Sequence, residues 1–394
     1  DIRINLQNPL AGITEQLRQM NPPELQITTA VRTGDTPQKE RAAMRKSAPH
    51  ILVTTPESLY VLLGSESGRK MLGTTRTVII DEVHAFAGDD RGWHLLSVLE
   101  RISVLAGREL QRLGLSATVG NPETLCDWLA GGCSARRSVL NPPAENSVSP
   151  DVQVDWVGSL KNAAVMISRL HRGEKRLVFV DSRSKVEDLA IELRSLGVAT
   201  YISHSSLSLE ERRSAEEAFS QGNNCVIVST STLELGIDVG DLDRVIQIDA
   251  PYTVASFLQR IGRTGRRTGS SRNCLFLATK EDSFLRALAL LQLWRKGYVE
   301  PIEPPARPMH IYAQQTMALS LQQRGIIAVD VDQWLGRMPG FANVAAEDRA
   351  GVISYMLGAG ILHSDEGLIG IGKAGEKAFG EKNFMELFSV FTTP

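Results

Sequence analysis

The sequence has few cysteines and no long apolar run. Its four cysteines, Cys126, Cys133, Cys225 and Cys274, form no Cys-x-x-Cys pair and no cluster with histidine, so the spacing indicates neither a disulfide framework nor a zinc site. Apolar stretches such as 287–291 are interrupted long before the roughly 20 residues that a bilayer span requires. We therefore expect a cytoplasmic protein in which Cys225 and Cys274 are buried packing residues.

The charge is also nearly balanced. A net charge of −2 gives no support to a protein that binds nucleic acid through overall positive charge. Any such contact must be made by local grooves and patches. With 394 residues, of which 42% are hydrophobic, the chain is long enough for two or three compact domains.

The most informative stretch is 259–267, which reads Gln-Arg-Ile-Gly-Arg-Thr-Gly-Arg-Arg. The arginines at 260, 263, 266 and 267 place several guanidinium groups close together on the backbone. Such groups can bind a transferring phosphoryl group, whose charge spreads over three oxygens. Taken by itself, the stretch would be better explained as a solvated basic run, because short Lys/Arg clusters are common on protein surfaces.

Two upstream segments favour the phosphoryl interpretation. Residues 77–80, Thr-Val-Ile-Ile, have the composition of a buried strand and end directly in Asp-Glu-Val-His at 81–84. Open α/β sheets bind ligands at the carboxyl ends of parallel strands. One carboxylate there can hold Mg²⁺ on a nucleotide, and the other can polarise the attacking water. Residues 114–118, Gly-Leu-Ser-Ala-Thr, likewise place two hydroxyls after an apolar segment.

In this order the segments resemble the motifs of superfamily 2 helicases. Residues 81–84 resemble the DExH box or motif II, 116–118 motif III, 177–183 motif IV, 229–238 motif V and 259–266 motif VI. The form Leu-Glu-Leu-Gly-Ile-Asp-Val-Gly at 233–240, with the segments 204–213 and 294–315, is most similar to the Lhr (large helicase-related) group.

The resemblance implies ATP and Mg²⁺ as cofactors. It places Asp81 on Mg²⁺, Glu82 as the catalytic residue that activates water, and Arg263 and Arg266 as catalytic residues at the γ-phosphoryl group. The other nucleotide-contacting positions that it implies are His84, Ser116, Thr118, Gly236, Asp238 and Gln259.

Nucleic-acid contacts are expected in loops that follow strands. The positions that the resemblance implies are Arg32, Gly34, Thr55, Pro56, Ser182, Arg183 and Thr230. Loop amides and hydroxyls suit phosphate oxygens, so we expect binding that does not depend on base sequence. Each position is also compatible with an ordinary turn or helix cap. The expected partner is single-stranded or partly duplex nucleic acid, DNA rather than RNA.

One family motif is missing. No Gly-x-x-x-x-Gly-Lys-Ser/Thr P-loop precedes Asp81, and residues 1–13 resemble the helix after motif Ia, so we expect the P-loop upstream of residue 1. Residues 367–374 fit Gly-x-x-x-x-Gly-Lys, but Ala374 lacks the hydroxyl that would bind Mg²⁺. Two hypotheses remain: an ATP-dependent helicase whose P-loop lies outside these residues, and a catalytically silent nucleic-acid-binding or scaffold remnant.

The strand and turn patterns predict an α/β protein with two doubly wound parallel-sheet domains at 1–143 and 152–302. The resemblance implies that both are RecA-like and that the first is incomplete. A winged-helix domain is predicted at 305–394, packed against the second α/β domain, with Lys373 on its wing. The predicted strands are 26–29, 51–54 and 77–80, then 177–180, 198–202, 225–229, 244–249 and 273–278. The tryptophans at 93, 128, 294 and 334 are expected in the core or at interfaces.

Overall fold

The computed structural model describes residues 2–19, 27–142, 149–234, 242–265 and 270–379. The chain divides into two compact units. Unit 1 comprises residues 1–116, 122–139 and 302–394, and unit 2 comprises 117–121 and 140–301. Within the described ranges, no helix has both the length and the apolar character that crossing a membrane requires.

The amino-terminal part of unit 1 alternates helices with short strands. Its elements are α1 (Ile2–Gln19), β1 (Thr29–Arg32), α2 (Gln38–Lys46), β2 (Ile51–Thr54), α3 (Pro56–Leu63), α4 (Glu66–Leu72), β3 (Thr77–Ile80), α5 (His84–Ala87), α6 (Asp90–Ala106), β4 (Gln111–Gly114) and α7 (Pro122–Ala130). Strand β1 pairs in parallel with β2, and β3 with β4. The first strand therefore lies three residues after the predicted 26–29, because its pairing begins at Thr29 opposite Ile51 and extends to Arg32.

The β3–β4 pair carries apolar side chains that the described residues leave uncovered. Ile80 and Val83 are buried at 5% and 2% exposure, and Leu129 of α7 lies beside Gly114. In contrast, Ile79 is 63% exposed and Leu113 is 42% exposed. Parallel strands are normally covered on both faces. This pair is therefore a half-covered piece of sheet.

Unit 2 contains a six-stranded sheet in which every strand pair is parallel. Its elements are β5 (Asp151–Trp156), α8 (Leu160–Arg169), β6 (Lys175–Phe179), α9 (Arg183–Ser195), β7 (Thr200–Ser203), α10 (Leu209–Gln221), β8 (Cys225–Ser229), the 3₁₀ turn η1 (Ser231–Leu233), β9 (Arg244–Ile248), α11 (Val254–Ile261), β10 (Asn273–Ala278) and α12 (Glu281–Arg295). The strand order is β5-β10-β9-β6-β8-β7.

The central strands of this sheet are apolar on both faces. Leu177 and Phe179 of β6 belong to one core cluster, whereas Val178 and the adjoining Val180 belong to another. Helices cover both faces, which explains the unbroken apolar runs that predicted these strands. Cys225 and Cys274 are buried as predicted, at 2% and 3% exposure. Strand β5 was missed because polar residues alternate along this edge strand.

The carboxyl-terminal part of unit 1 has the topology of a winged helix. Its elements are α13 (Met309–Gln323), β11 (Ile326–Ile327), α14 (Ala328–Leu335), α15 (Pro339–Ala342), α16 (Ala346–Gly358), β12 (Leu362–Asp365), β13 (Leu368–Ile371) and α17 (Lys373–Phe379). The three strands form an antiparallel sheet in the order β11-β13-β12. Glu366 and Gly367, at φ 48° and 86°, close the β12–β13 hairpin, as type I′ turns do.

The predicted packing of this part against the second α/β domain is wrong. It groups with unit 1, where α13 and α14 contact α6. The indole nitrogen of Trp93 on α6 donates to the carbonyl of Pro305 at 2.8 Å, and the guanidinium of Arg101 donates to the side-chain oxygen of Gln315 at 2.9 Å. Trp93 and Trp128 are both buried at 4% exposure. Helix α6 is therefore the docking element.

The Gly-x-x-x-x-Gly-Lys match at 367–374 is not shaped as a P-loop. The amide of Gly372 donates to the carbonyl of Ile361 at 2.8 Å, and the amide of Ala374 donates to the carbonyl of Gly360 at 3.0 Å. A P-loop needs such amides for phosphate oxygens. Lys373 begins α17 immediately after the hairpin rather than lying on the wing itself. The segment is therefore structural.

Candidate active site

The acidic motif of unit 1 lies where β3 ends. Backbone hydrogen bonds between the two segments continue past the ends of β3 and β4. The amide of Leu115 donates to the carbonyl of Ile80, and the amide of Val83 donates to the carbonyl of Leu115, both at 2.9 Å. This brings Ser116 beside His84, with 3.3 Å between Oγ and Nδ1. The other imidazole nitrogen lies 3.5 Å from Oε2 of Glu82. The histidine thus connects the predicted catalytic carboxylate to the predicted motif III.

Glu82 has an unusual backbone. Its φ is 51°, a left-handed conformation that costs a residue with a side chain of this size about 1–3 kcal/mol. Its amide donates to Oδ1 of Asp81 at 3.0 Å. Strain of this kind concentrates at functional sites, where neighbouring structure holds it in place. Here the backbone turns sharply at the carboxylate that is expected to activate water.

Burial favours the neutral form of His84. Burial lowers the pKa of His84, and the negative charges of Glu82 and Asp81 oppose that shift without overcoming it. A neutral imidazole has one donor and one acceptor nitrogen. It can therefore serve Glu82 and Ser116 at the same time.

Asp81 fits a magnesium ion that is bound mainly by water and phosphate. Its carboxylate is exposed at the end of β3, and Mg²⁺ on nucleotides typically takes one or two carboxylates plus phosphate oxygens. In the described part of the chain, no group of three His, Cys, Asp or Glu side chains could hold a metal without such help. The Asp81 carboxylate therefore suits a metal ion that nucleotide phosphates also bind.

In unit 2, the predicted motif V and motif VI are in direct contact. Gln259 and Arg260 lie on α11, and Arg263 follows its end. The guanidinium of Arg263 donates to the backbone carbonyl of Glu234, next to η1. Arg260 binds the carboxylate of the same Glu234.

Arg260 does not bind phosphate as the arginine array suggested. It is buried at 8% exposure, donates to Glu234 and Gln247, and lies over the ring of Phe179 at 4.9 Å. Its guanidinium is therefore committed within unit 2, and that interpretation of Arg260 is wrong. Gly236, Asp238, Arg266 and Arg267 lie outside the described residues.

Two predicted nucleic-acid residues act as helix caps. Thr55 Oγ1 accepts from the amide of Ser58 at 3.3 Å, and Ser182 Oγ accepts from the amide of Lys185 at 3.4 Å. Pro56 is buried at the first position of α3. Each cap uses one side-chain oxygen, so the cap role of these residues and phosphate binding by the loop are compatible.

A positive cluster that the sequence revealed only in part is formed by Arg32 at the end of β1 and by arginines of α2. Arg41 donates to the carbonyls of Gly34 and Thr36 at 2.6 and 2.7 Å. Burial, and then the charges of Arg41 and Arg45, lower the pKa of Arg32. The periodicity of α2 places Arg41 and Arg45 on one face, which is the signal that could have added them.

Three further predicted site residues lie in unit 2. Thr118 and Arg183 are exposed, and Thr230 directly precedes η1.

Similarity to known proteins agrees with this geometry. The chain matches the DEAD/DEAH box helicase family over residues 10–125 and the helicase conserved C-terminal domain over 159–268. The Lhr helicase/uracil glycosylase of Escherichia coli (strain K12) is 34% identical over 86% of this chain and 25% of that protein. The ATP-dependent helicase Lhr-Core of Methanothermobacter thermautotrophicus is 32% identical over 91% of this chain and 43% of that protein. The chain belongs to the Lhr group of superfamily 2 helicases.

A solved structure of the Mycobacterium smegmatis helicase Lhr bound to ssDNA and AMP-PNP shares the Lhr-group fold. It has a TM-score of 0.83 at 32% identity, over 95% of this chain and 51% of that one. The prediction of RecA-like parallel-sheet domains in an Lhr-type helicase is confirmed. The chain spans between 25% and 43% of the length of the two curated relatives.

The Lhr-group motifs did not reveal a second charged network at the carboxyl end of the unit 2 sheet. Lys185 Nζ lies 2.9 Å from Asp181 and 3.1 Å from Asp249. Burial raises the pKa of Asp249, but hydrogen bonds from Thr279 and Lys185 outweigh it and hold the pKa below its usual value. Asp249 also has a φ of 57°. The network anchors the start of α9, where Ser182 and Arg183 lie.

Proposed function

We propose that this chain is the core of an ATP-dependent helicase that acts on single-stranded or partly duplex DNA. The observation that carries the proposal is the arrangement of Asp81, Glu82 and His84 at the end of β3, tied to Ser116. Asp81 would hold Mg²⁺, which would supply neutralisation of phosphate charge. Glu82 orients the attacking water and accepts its proton, and Arg263 and Arg266 stabilise charge on the transferring phosphoryl group.

The proposed activity also requires a P-loop beside Asp81. The sequence contains no Gly-x-x-x-x-Gly-Lys-Ser/Thr. The exposed Ile79 and Leu113 of the β3–β4 pair suit the packing surface of a further strand and helix. In the active protein, that added layer would cover these side chains and supply the phosphate-binding loop beside Asp81.

The proposed substrate follows from the binding loops and the relatives. Arg32, Arg183 and the loop hydroxyls suit backbone phosphates, and the M. smegmatis relative was solved with ssDNA and AMP-PNP. We propose 3′ to 5′ movement on DNA, in repair or processing. Strand displacement from duplexes with a 3′ or a 5′ tail tests the polarity, and equal activity on both tails would contradict it.

Replacement of the proposed base tests the function most directly. In a longer form of the protein that includes a P-loop, Glu82→Gln should abolish nucleic-acid-stimulated hydrolysis and leave ATP binding nearly intact, because the amide cannot accept the proton. An equal loss of binding would argue against Glu82 as the base. Glu57→Gln, on α3 of the same unit, is the matched control and should retain turnover.

The alternative function is a catalytically silent nucleic-acid-binding or scaffold protein. The absent P-loop motif and the engaged amides of Gly372 and Ala374 favour it for these 394 residues. Most phosphoryl-transfer catalysis comes from positioning and charge neutralisation, so this chain by itself should not hydrolyse ATP. If the longer protein also binds DNA but hydrolyses nothing, the scaffold alternative is correct.

A further inference from the structure

Glu234 contacts both described arginines of motif VI. Its carboxylate accepts from Arg260, with 2.7 Å between Nε and Oε1, and its backbone carbonyl accepts from Arg263. Ser256, one turn before Arg260 on α11, donates to the same carboxylate at 3.1 Å. Glu234 therefore joins the turn after Thr230 to α11 and to the segment that follows it.

Two further contacts also restrict the orientation of the Arg260 guanidinium. Its Nη1 donates to Gln247 of β9, and its guanidinium lies over Phe179 of β6. Glu234 and Arg260 are nearly buried, at 9% and 8% exposure. A buried ion pair of this kind contributes little net stability, because desolvation offsets the attraction. What it does provide is a defined geometry, since the planar fork of arginine accepts few orientations.

We propose that Glu234 is a positioning residue for phosphoryl transfer: it fixes the η1 turn on Arg260, and the carbonyl of that turn then aims Arg263. The inference rests on the proposed function of Arg263. An arginine that stabilises a transition state must be placed within a fraction of an ångström, and a misplacement of about 1 Å can cost about a hundredfold in rate.

The rate test uses the longer, P-loop-containing protein. Glu234→Gln keeps the shape but removes the charge that fixes Arg260, and should lower kcat for ATP hydrolysis by about ten- to a hundredfold with little change in KM. Ser256→Ala removes the other donor to the same carboxylate and should stay within about twofold, since it leaves both arginines in place.

A double-mutant comparison separates positioning from a general structural role. If Glu234 acts through Arg263, Glu234→Gln should have no further effect on kcat in an Arg263→Ala background. Multiplicative losses, or a fall in kcat that is matched by a fall in the urea midpoint, would overturn the proposal. Arg260→Lys tests the same connection from the other side, because it retains the positive charge and loses the planar guanidinium that binds Glu234. This variant should also lower kcat without a matching loss of stability.

A measurement on the 394-residue chain keeps this inference separate from the proposed function. In spectra of ¹⁵N-labelled arginine side chains, the Nε–H signal of Arg263, assigned with Arg263→Lys, should shift or exchange faster in Glu234→Gln. An unchanged signal overturns the inference. If the longer wild-type protein hydrolyses no ATP, the proposed function fails, and this spectrum still decides whether Glu234 positions Arg263.

Discussion

Arg101 tests how the winged-helix part is docked on α6. Its side chain is fully buried, and its described partners carry no negative charge: Gln322 Oε1 accepts from Nε at 3.1 Å, Gln315 Oε1 accepts from Nη1 at 2.9 Å, and the ring of Tyr60 lies 5.4 Å away. Burial lowers the pKa of Arg101 to about 10, against a smaller opposing effect of Tyr60. The cation is thus held by amides.

Arg101→Met should destabilise unit 1 by about 2–4 kcal/mol. The change leaves two buried amide oxygens without a donor, at about 1–3 kcal/mol each, and loses a cation–π contact of about 1–2 kcal/mol. Relief from burying a charge offsets part of that sum. Urea unfolding followed by tryptophan fluorescence measures it, since Trp93 and Trp128 lie buried in this unit.

The triple variant Arg101→Met, Gln315→Met, Gln322→Met checks the reasoning. With all three polar groups replaced by apolar ones of similar size, stability should return to within about 1 kcal/mol of the wild type, because both acceptors of Arg101 are removed with it. His94 Nδ1, which loses Gln315 Nε2 at 3.1 Å, keeps Gln314 Oε1 at 3.4 Å. Arg137→Met, which removes an exposed ion pair with Asp127 in the same unit, should cost under about 1 kcal/mol. A single variant as stable as the wild type, or a triple variant weaker than the single one, would refute the argument.

Three further predictions follow from the same contacts. Burial lowers the pKa of His94 from 6.5 to about 4, so between these pH values the unfolded chain binds a proton more readily than the folded protein. The free energy of unfolding is therefore highest above pH 6.5 and decreases by up to about 3 kcal/mol as the pH falls toward 4. His94→Gln should therefore lose less stability than the wild type between pH 7 and 4.5 in urea titrations, and parallel losses would contradict this. In the longer protein, Arg263→Ala and Arg266→Ala should each lower kcat by about a thousandfold; weaker strand binding with a reduced salt slope would instead indicate a nucleic-acid patch. Lys373→Ala should leave nucleotide affinity unchanged, and lost ATP binding would show that the rejected motif is a P-loop after all.

Sequence patterns predicted five of the six described strands of unit 2 and located polar motifs at strand ends. Buried parallel strands must be apolar on both faces, so 225–229 and 273–278 could be located to the residue. The acidic pair at 81–82 was recognisable because it directly follows such a strand. In each case the information lies within a few neighbouring residues.

Contacts between distant segments could not be predicted in this way. That Arg260 is committed to Glu234 rather than to phosphate, and that α13 packs on α6, depend on side chains 26 and more than 200 positions apart. The sequence around an arginine does not show whether its side chain pairs with a buried carboxylate or binds a substrate. The sequence by itself determined which residues are candidates for the chemistry, because strand periodicity and motif spacing are local. Only the tertiary structure decided which of these candidates already have partners within the protein, because burial and pairing depend on contacts with distant segments of the chain.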